Sequence, residues 1–101
     1  MTPVVITISH TLGKVEVLRR LRPALGQAAH TFPVIKVEQE VWSGDRMDFR
    51  VRSLGQAITG NVQVLDDSVR LEVSLPWLLT KFANALQRTI AQKGRILLEK
   101  K

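Results

Sequence analysis

The stretch from Val34 to Leu75 constrains this chain most, because four short apolar and β-branched runs are separated there by turn-forming residues alone. Val34–Trp42, Met47–Ser53, Ala57–Leu65 and Val69–Leu75 are punctuated by SGDR, LGQ and DDS. Connections this short cannot carry a crossover, so successive strands must pair antiparallel as a meander. Met47, Phe49 and Val51 alternate with Asp48, Arg50 and Arg52, and Val69, Leu71 and Val73 with Arg70, Glu72 and Ser74. Such alternation buries one face of the sheet and wets the other. In the third run Ile58, Gly60, Val62 and Val64 share the buried face, and Gly60 leaves a gap in it. A bulky residue from a packing helix, Trp77 or Phe82, is expected to press against the backbone there.

After Leu75 the period changes from two to about 3.6. Pro76 suits a first helical position, and Leu79, Phe82, Leu86, Ile90 and Leu97 fall on one stripe of a helix reaching Leu98. This stripe is expected to cover the face carrying Phe49, Val51, Gly60, Val62 and Leu71. Lys81, Arg88 and Arg95 line the opposite side as a cationic ridge, which is either a solvated face or a contact for something anionic. Gly94 is expected to loosen the last turns, with Glu99 to Lys101 frayed.

Ahead of the meander, Pro3–Ser9 reads as a first strand, placed at an edge because Pro3 offers no ladder N–H. From Lys14 to about Ala29 the spacing of Val17, Leu18, Leu21, Leu25 and Ala28 is helical, with Arg19, Arg20 and Arg22 projecting elsewhere. Pro23 must kink or split that helix. The order β-α-β-β-β-β-α describes one α+β domain over residues 1–101, a mainly antiparallel sheet with two helices packed on one face.

Function classes narrow by elimination. The chain has no cysteine and only two separated histidines, His10 and His30, so thiol chemistry is excluded and no metal or cofactor site is expected. His10 reads as a cap or turn residue rather than a base. Most Asp residues sit in turns, where they serve local hydrogen bonding, and no catalytic constellation emerges. Nothing approaches a membrane-spanning run or a leader peptide, which suggests a cytoplasmic protein. The formal charge of +6 is uneven. Residues 1–33 carry Lys14, Arg19, Arg20 and Arg22 against Glu16, and residues 76–101 carry six bases against Glu99, whereas the meander is net acidic. The positive excess therefore belongs to the helices. On the polar sheet face Arg50, Arg52, Arg70, Glu38, Glu40 and Glu72 suggest charge pairing rather than a nucleic-acid platform, for which only Trp42 offers an aromatic.

Taken together, Trp42-Ser43-Gly44-Asp45-Arg46, Phe49, Leu54-Gly55, Gly60, Val64, Asp66-Asp67, Val69 and Leu75-Pro76-Trp77-Leu78-Leu79 resemble the bacterial polyhydroxyalkanoic acid system family, the polyhydroxyalkanoate granule-region proteins. His10-Thr11-Leu12-Gly13, Glu16 and Arg20-Leu21 are similar to that family's opening. The likeness runs from about Ile8 to Leu98. Val17, where a smaller residue is expected, and Pro23 depart from it. The resemblance implies a role in bacterial polyester storage and brings no assigned active site. A curved sheet held by a C-terminal helix also resembles, in reduced form, the helix-grip domains that enclose apolar ligands.

Three functions follow as expectations. The first is a non-catalytic accessory or binding protein of polyhydroxyalkanoate granules, docked on the granule surface or its proteins through Lys81, Arg88 and Arg95, joined by Arg19, Arg20 and Arg22. The second is a carrier of small apolar ligands between sheet and helix, around Phe49, Gly60, Trp77 and Phe82. The third, a nucleic-acid-associated protein using the basic helices, is the weakest. Whether the Pro3 edge strand pairs with a second copy to form a homodimer is left open by the residues alone.

Overall fold

The structure, a computed structural model, describes residues 2–31 and 33–99. Five strands build one antiparallel sheet in the order β1-β5-β4-β3-β2, with β1 Thr2–Ser9, β2 Ile35–Ser43, β3 Arg46–Ser53, β4 Gln56–Val64 and β5 Ser68–Leu75. The meander forms because its turns have the right backbone chemistry. Gly44 takes φ +61° at the first central position of the β2–β3 turn, and Leu54-Gly55 take φ +55° and +76° between β3 and β4. These positive angles are what two-residue hairpins require to match strand twist. β1 then pairs with β5, Val4 opposite Val73 and Ile8 opposite Val69, and so lies at one edge.

The core is lean and largely β-branched. Val4, Ile6 and Ile8 of β1, Val64 of β4, and Val69, Val73 and Leu75 of β5 are buried in one cluster with Val17 and Leu98 from the helices. Val17 is fully buried, so the family departure noted there is accommodated by the core. Full burial of a valine contributes about 1.5–3 kcal/mol.

All helices lie on this face. Pro23 splits the first helix into α1 (Lys14–Leu21) and α2 (Ala24–Thr31), since it can supply no N–H to continue the ladder. α1 packs toward β4 and α2 along β2. After Leu75 the chain does not enter an α-helix at Pro76. Trp77–Phe82 is a 3₁₀ segment, and α3 runs Ala83–Leu97 along β1. A 3₁₀ turn advances about 120° per residue rather than 100°, so residues before Ala83 fall out of phase with the stripe behind them. Leu79, Leu86 and Ile90 stay half-buried against the core, whereas Phe82 turns out to solvent. The expected contact of this helix with β3 and β4 is thus replaced by one with β1.

Gly94 has a role opposite to the expected loosening. A Cβ there would run into Ile8 Cδ1, so the glycine lets α3 close onto β1. Leu98 beyond it is buried, while Lys100 and Lys101 lie outside the described residues.

One irregularity redirects a strand. The register of β2 on β3 shifts between Val37 and Gln39, a bulge that leaves Glu38 unpaired. Glu40 and Trp42 consequently share the helix side with Phe49 and Met47, and Glu40 leaves the polar face to which strict alternation assigns it.

Candidate functional site

Strand directions bring the sequence motifs to one end of the sheet. The C-terminal ends of β1, β2 and β4 meet the starts of β3 and β5 there, gathering His10, Lys14, Asp45, Asp66 and Asp67. His10 is buried, its backbone N–H donates to the Asp67 carbonyl at 2.9 Å, and its Nε2 lies 3.1 Å from the Leu65 carbonyl. The Leu12 N–H donates to Nδ1 at 3.2 Å. Nδ1 is therefore the acceptor, and Nε2 carries the proton that it donates to Leu65. Both ring nitrogens are committed to backbone groups, as befits a clasp between the β1–α1 loop and the β4–β5 turn.

Around the clasp lies a shell of charge. Lys14 Nζ sits 3.0 Å from Asp45 Oδ2 and 3.9 Å from Asp66 Oδ1. The hydrogen bond to Asp45, then the charges of Asp45 and Asp66, push the lysine pKa upward. The Asp45 carbonyl also accepts the Val64 N–H at 2.8 Å, which fastens the β2–β3 turn to β4. Among the described residues no group of three or more His, Cys, Asp or Glu side chains is arranged to hold a metal ion.

The three arginines expected on the cationic side are engaged within the molecule. Glu16 receives Arg19 at 2.5 Å and Arg20 at 2.7 Å. Hydrogen bonds from Arg19 first and Arg20 second lower its carboxyl from 4.5 to about 2. A depressed carboxylate stabilises the fold above its ordinary pKa, so this clamp is intact above about pH 4.5 and is lost as pH falls toward 2. Arg20 Nη1 also donates to the carbonyls of Leu97 at 3.0 Å and Glu99 at 2.6 Å. It thereby satisfies acceptors left open at the C-terminal end of α3, where a cation also suits the helix dipole. Arg22 lies over the Trp42 ring, 5.7 Å from its centroid, while the indole Nε1 donates to Glu40 Oε2 at 2.8 Å. Arg19, Arg20 and Arg22, expected as surface contacts, thus also make ties within the molecule, while Arg19 and Arg22 stay exposed. The Glu16 pairs follow ordinary i,i+3 and i,i+4 helix spacing, but no spacing announces the contacts of Arg20 with the end of α3 or of Arg22 with Trp42, whose partners are remote.

Lys81, Arg88 and Arg95 are all exposed. Arg88 and Arg95 flank a shallow open groove on α3, and Arg95 also borders a notch against Thr7, Ile8 and Ser9 at the outer edge of β1. The ridge is therefore narrower than expected but present.

The region around Gly60 also differs from expectation. A Cβ on Gly60 would collide with the Glu72 carbonyl and lie 2.6 Å from Phe49 Cζ. It is thus the Phe49 ring, from the directly opposite position on β3, that needs the glycine. Trp77 is 76% exposed and Phe82 49% exposed, so neither fills the gap. The Phe49 ring thus occupies the space beside Gly60.

The polar face pairs its charges, with Arg50 3.1 Å and Arg52 3.0 Å from Glu38, Arg46 3.0 Å from Asp48 and Arg70 3.2 Å from Glu72. Arg52 holds the Glu38 carboxyl below its usual range chiefly through its hydrogen bond. Trp42, the one aromatic considered for base stacking, faces the helices instead. Among the described residues no helix is long and apolar enough to cross a membrane.

No curated protein and no solved structure matches this chain. A family model does, over residues 4–98, which takes in the His10 clasp, the turns that meet it and the whole of α3. The chain belongs to the family described as "Putative polyhydroxyalkanoic acid system protein (PHA_gran_rgn)".

Proposed function

We propose that this protein is a non-catalytic accessory of the polyhydroxyalkanoate storage system that attaches peripherally to the granule surface through a basic ridge. The observation that carries the reading is the contrast between two sets of cations. Arg19, Arg20 and Arg22 are engaged with Glu16, helix carbonyls and Trp42, whereas Lys81, Arg88 and Arg95 stand exposed along the C-terminal segment. Among the described residues no carboxylate pairs with Arg88 or Arg95. Cations in that state are available to an anionic surface, each contributing about 1 kcal/mol near acidic lipid. The commitment of both His10 nitrogens to backbone groups supports a structural rather than catalytic use of the one buried titratable residue among those described.

The test replaces Lys81, Arg88 and Arg95 together by Gln and measures co-sedimentation with isolated granules and anionic vesicles. The expected result is an unchanged circular dichroism spectrum and roughly a hundredfold weaker binding, from about 1 kcal/mol per charge. Binding by the wild type should also weaken as salt rises. Attachment that persists in the triple variant and at high salt would overturn the ridge.

A further inference from the structure

Among the described residues, the end of the sheet opposite the His10 clasp has only short-range ties, Arg52 to the Gly55 carbonyl and Thr80 to the Trp77 carbonyl. Register places three segments there: the chain entering β2 at Ile35, the Leu54-Gly55 turn, and the 3₁₀ segment leaving β5. They expose Val34 at 61%, Leu54 at 73%, Trp77 at 76%, Leu78 at 47% and Phe82 at 49%. Half of the large exposed apolar residues of the described chain are thus gathered at one end. Scattered apolar residues need no explanation, but a gathered set marks an interaction surface.

The hairpin tip strengthens the point. Leu54 sits at φ +55°, a left-handed conformation that strains a branched residue and suits Asn or Gly far better. A tip made for the fold alone would not place leucine there. The strain is retained together with nearly full exposure, so the side chain is presented outward.

Charge selects the kind of partner. Residues 30–37, 53–60 and 75–83 contain no Asp or Glu, and Lys36 and Lys81 are their only fully charged side chains. Lys81 Nζ lies 5.3 Å from the Phe82 ring centroid, with its stem beside an aromatic face and its charge in water. Tryptophan with a snorkelling lysine among leucine and phenylalanine is the composition favoured at a lipid–water interface.

We infer that this end, centred on Leu54, Trp77, Leu78 and Phe82 with Lys81 beside them, inserts shallowly into an anionic phospholipid surface. The inference deepens the granule-attachment reading and rests on it only for the cellular setting. It adds to the basic ridge an apolar contact at the end of the molecule, from which α3 extends about 22 Å away at 1.5 Å per residue. The apolar stripe of α3 is committed to β1 and cannot serve, whereas these four side chains are not needed to close the core.

The test uses the full chain carrying Trp42→Phe, so that Trp77 alone reports, with vesicles of phosphatidylcholine and phosphatidylglycerol in equal parts and of phosphatidylcholine alone. Emission from Trp77 should shift to the blue and be quenched by lipids brominated on their acyl chains, more strongly with the anionic vesicles. Leu54→Asn with Leu78→Ser and Phe82→Ser should weaken partitioning at least tenfold, while Arg88→Gln with Arg95→Gln leaves the blue shift in place. No blue shift with either vesicle would overturn the inference. Binding that is lost in Arg88→Gln/Arg95→Gln but kept in the apolar variant would also overturn it, leaving the ridge standing. Loss in the apolar variant alone would support it and remove the ridge. A dimer in sedimentation velocity that the apolar variant converts to monomer, with no lipid response, would assign the surface to a second copy and overturn it equally.

Discussion

The two ends of the sheet solve opposite problems. At the His10 end three loops and two helix termini converge, and their backbone groups are satisfied by buried or charged side chains. At the Leu54 end two loops and a 3₁₀ segment leave apolar side chains in water and one turn residue strained. The difference teaches that motif residues in this chain are divided between holding the fold and meeting something outside it. His10, Gly13, Asp45 and Asp66 belong to the first group, and Leu54, Trp77 and Leu78 to the second.

The sharpest way to break the comparison is at the clasp. His10→Ala removes the partner of the part-buried Leu65 carbonyl and Leu12 N–H and should cost about 2 kcal/mol, read from urea unfolding. A loss below about 1 kcal/mol would mean that this end is no better tied than the other. Arg20→Met keeps the aliphatic stem but removes the donors to Leu97 and Glu99, for a cost of about 1–2 kcal/mol and a fall in Tm of roughly 5–15 °C. Arg19→Met, which breaks only an exposed pair, should leave Tm within error of the wild type.

At the other end the signs change. Leu54→Asn should stabilise by about 1 kcal/mol, because asparagine accepts the left-handed angle that leucine resists. An unchanged or lower Tm would show that Leu54 contributes packing that its exposure conceals. The smallest effect is expected for Phe82→Ala, under about 1 kcal/mol, because the ring is half in water and contacts Lys81. A loss of 3–5 kcal/mol, as for a core phenylalanine, would restore this residue to the stripe on which its spacing placed it.

Much of the fold was legible because its signals are local. Alternation, turn residues and proline positions specified five strands, the antiparallel pairing of the last four, an edge position for β1 and the interruption at Pro23, but not the partner of β1. Phase was less legible. Reading Pro76 to Leu98 as one α-helix put Phe82 with Leu86, since nothing in WLLTKF marks a 3₁₀ segment. The Glu38 bulge was similarly hidden and turned Glu40 and Trp42 to the helix side. For the candidate site, the exposed cations Lys81, Arg88 and Arg95 followed from helical spacing, but the fate of Arg19, Arg20 and Arg22 did not. Arg20 meets carbonyls 77 and 79 residues away and His10 a carbonyl 55 residues away, contacts that no window along the chain can contain. Gly60 was recognised as a close approach, yet the approaching group was the cross-strand Phe49 rather than a helix residue.

The pairing of β1 with β5 has a kinetic consequence. Strands β2 to β5 are joined by short turns and can zip up in sequence, each hairpin closing a loop of only a few residues. β1 is synthesised first but has no partner until β5 exists, and its register joins Ser9 to Ser68 and Thr2 to Leu75. Contacts of such separation raise the contact order and slow folding. Until then VVITIS is an unpaired, β-branched, uncharged segment, the kind that templates aggregation. α3 follows immediately behind β5 and packs along β1, so the element that covers this hazard emerges just after the strand that pairs with it. Loss of α3 would therefore show itself in a nascent or refolding chain as aggregation through β1 before any change in a native surface became apparent.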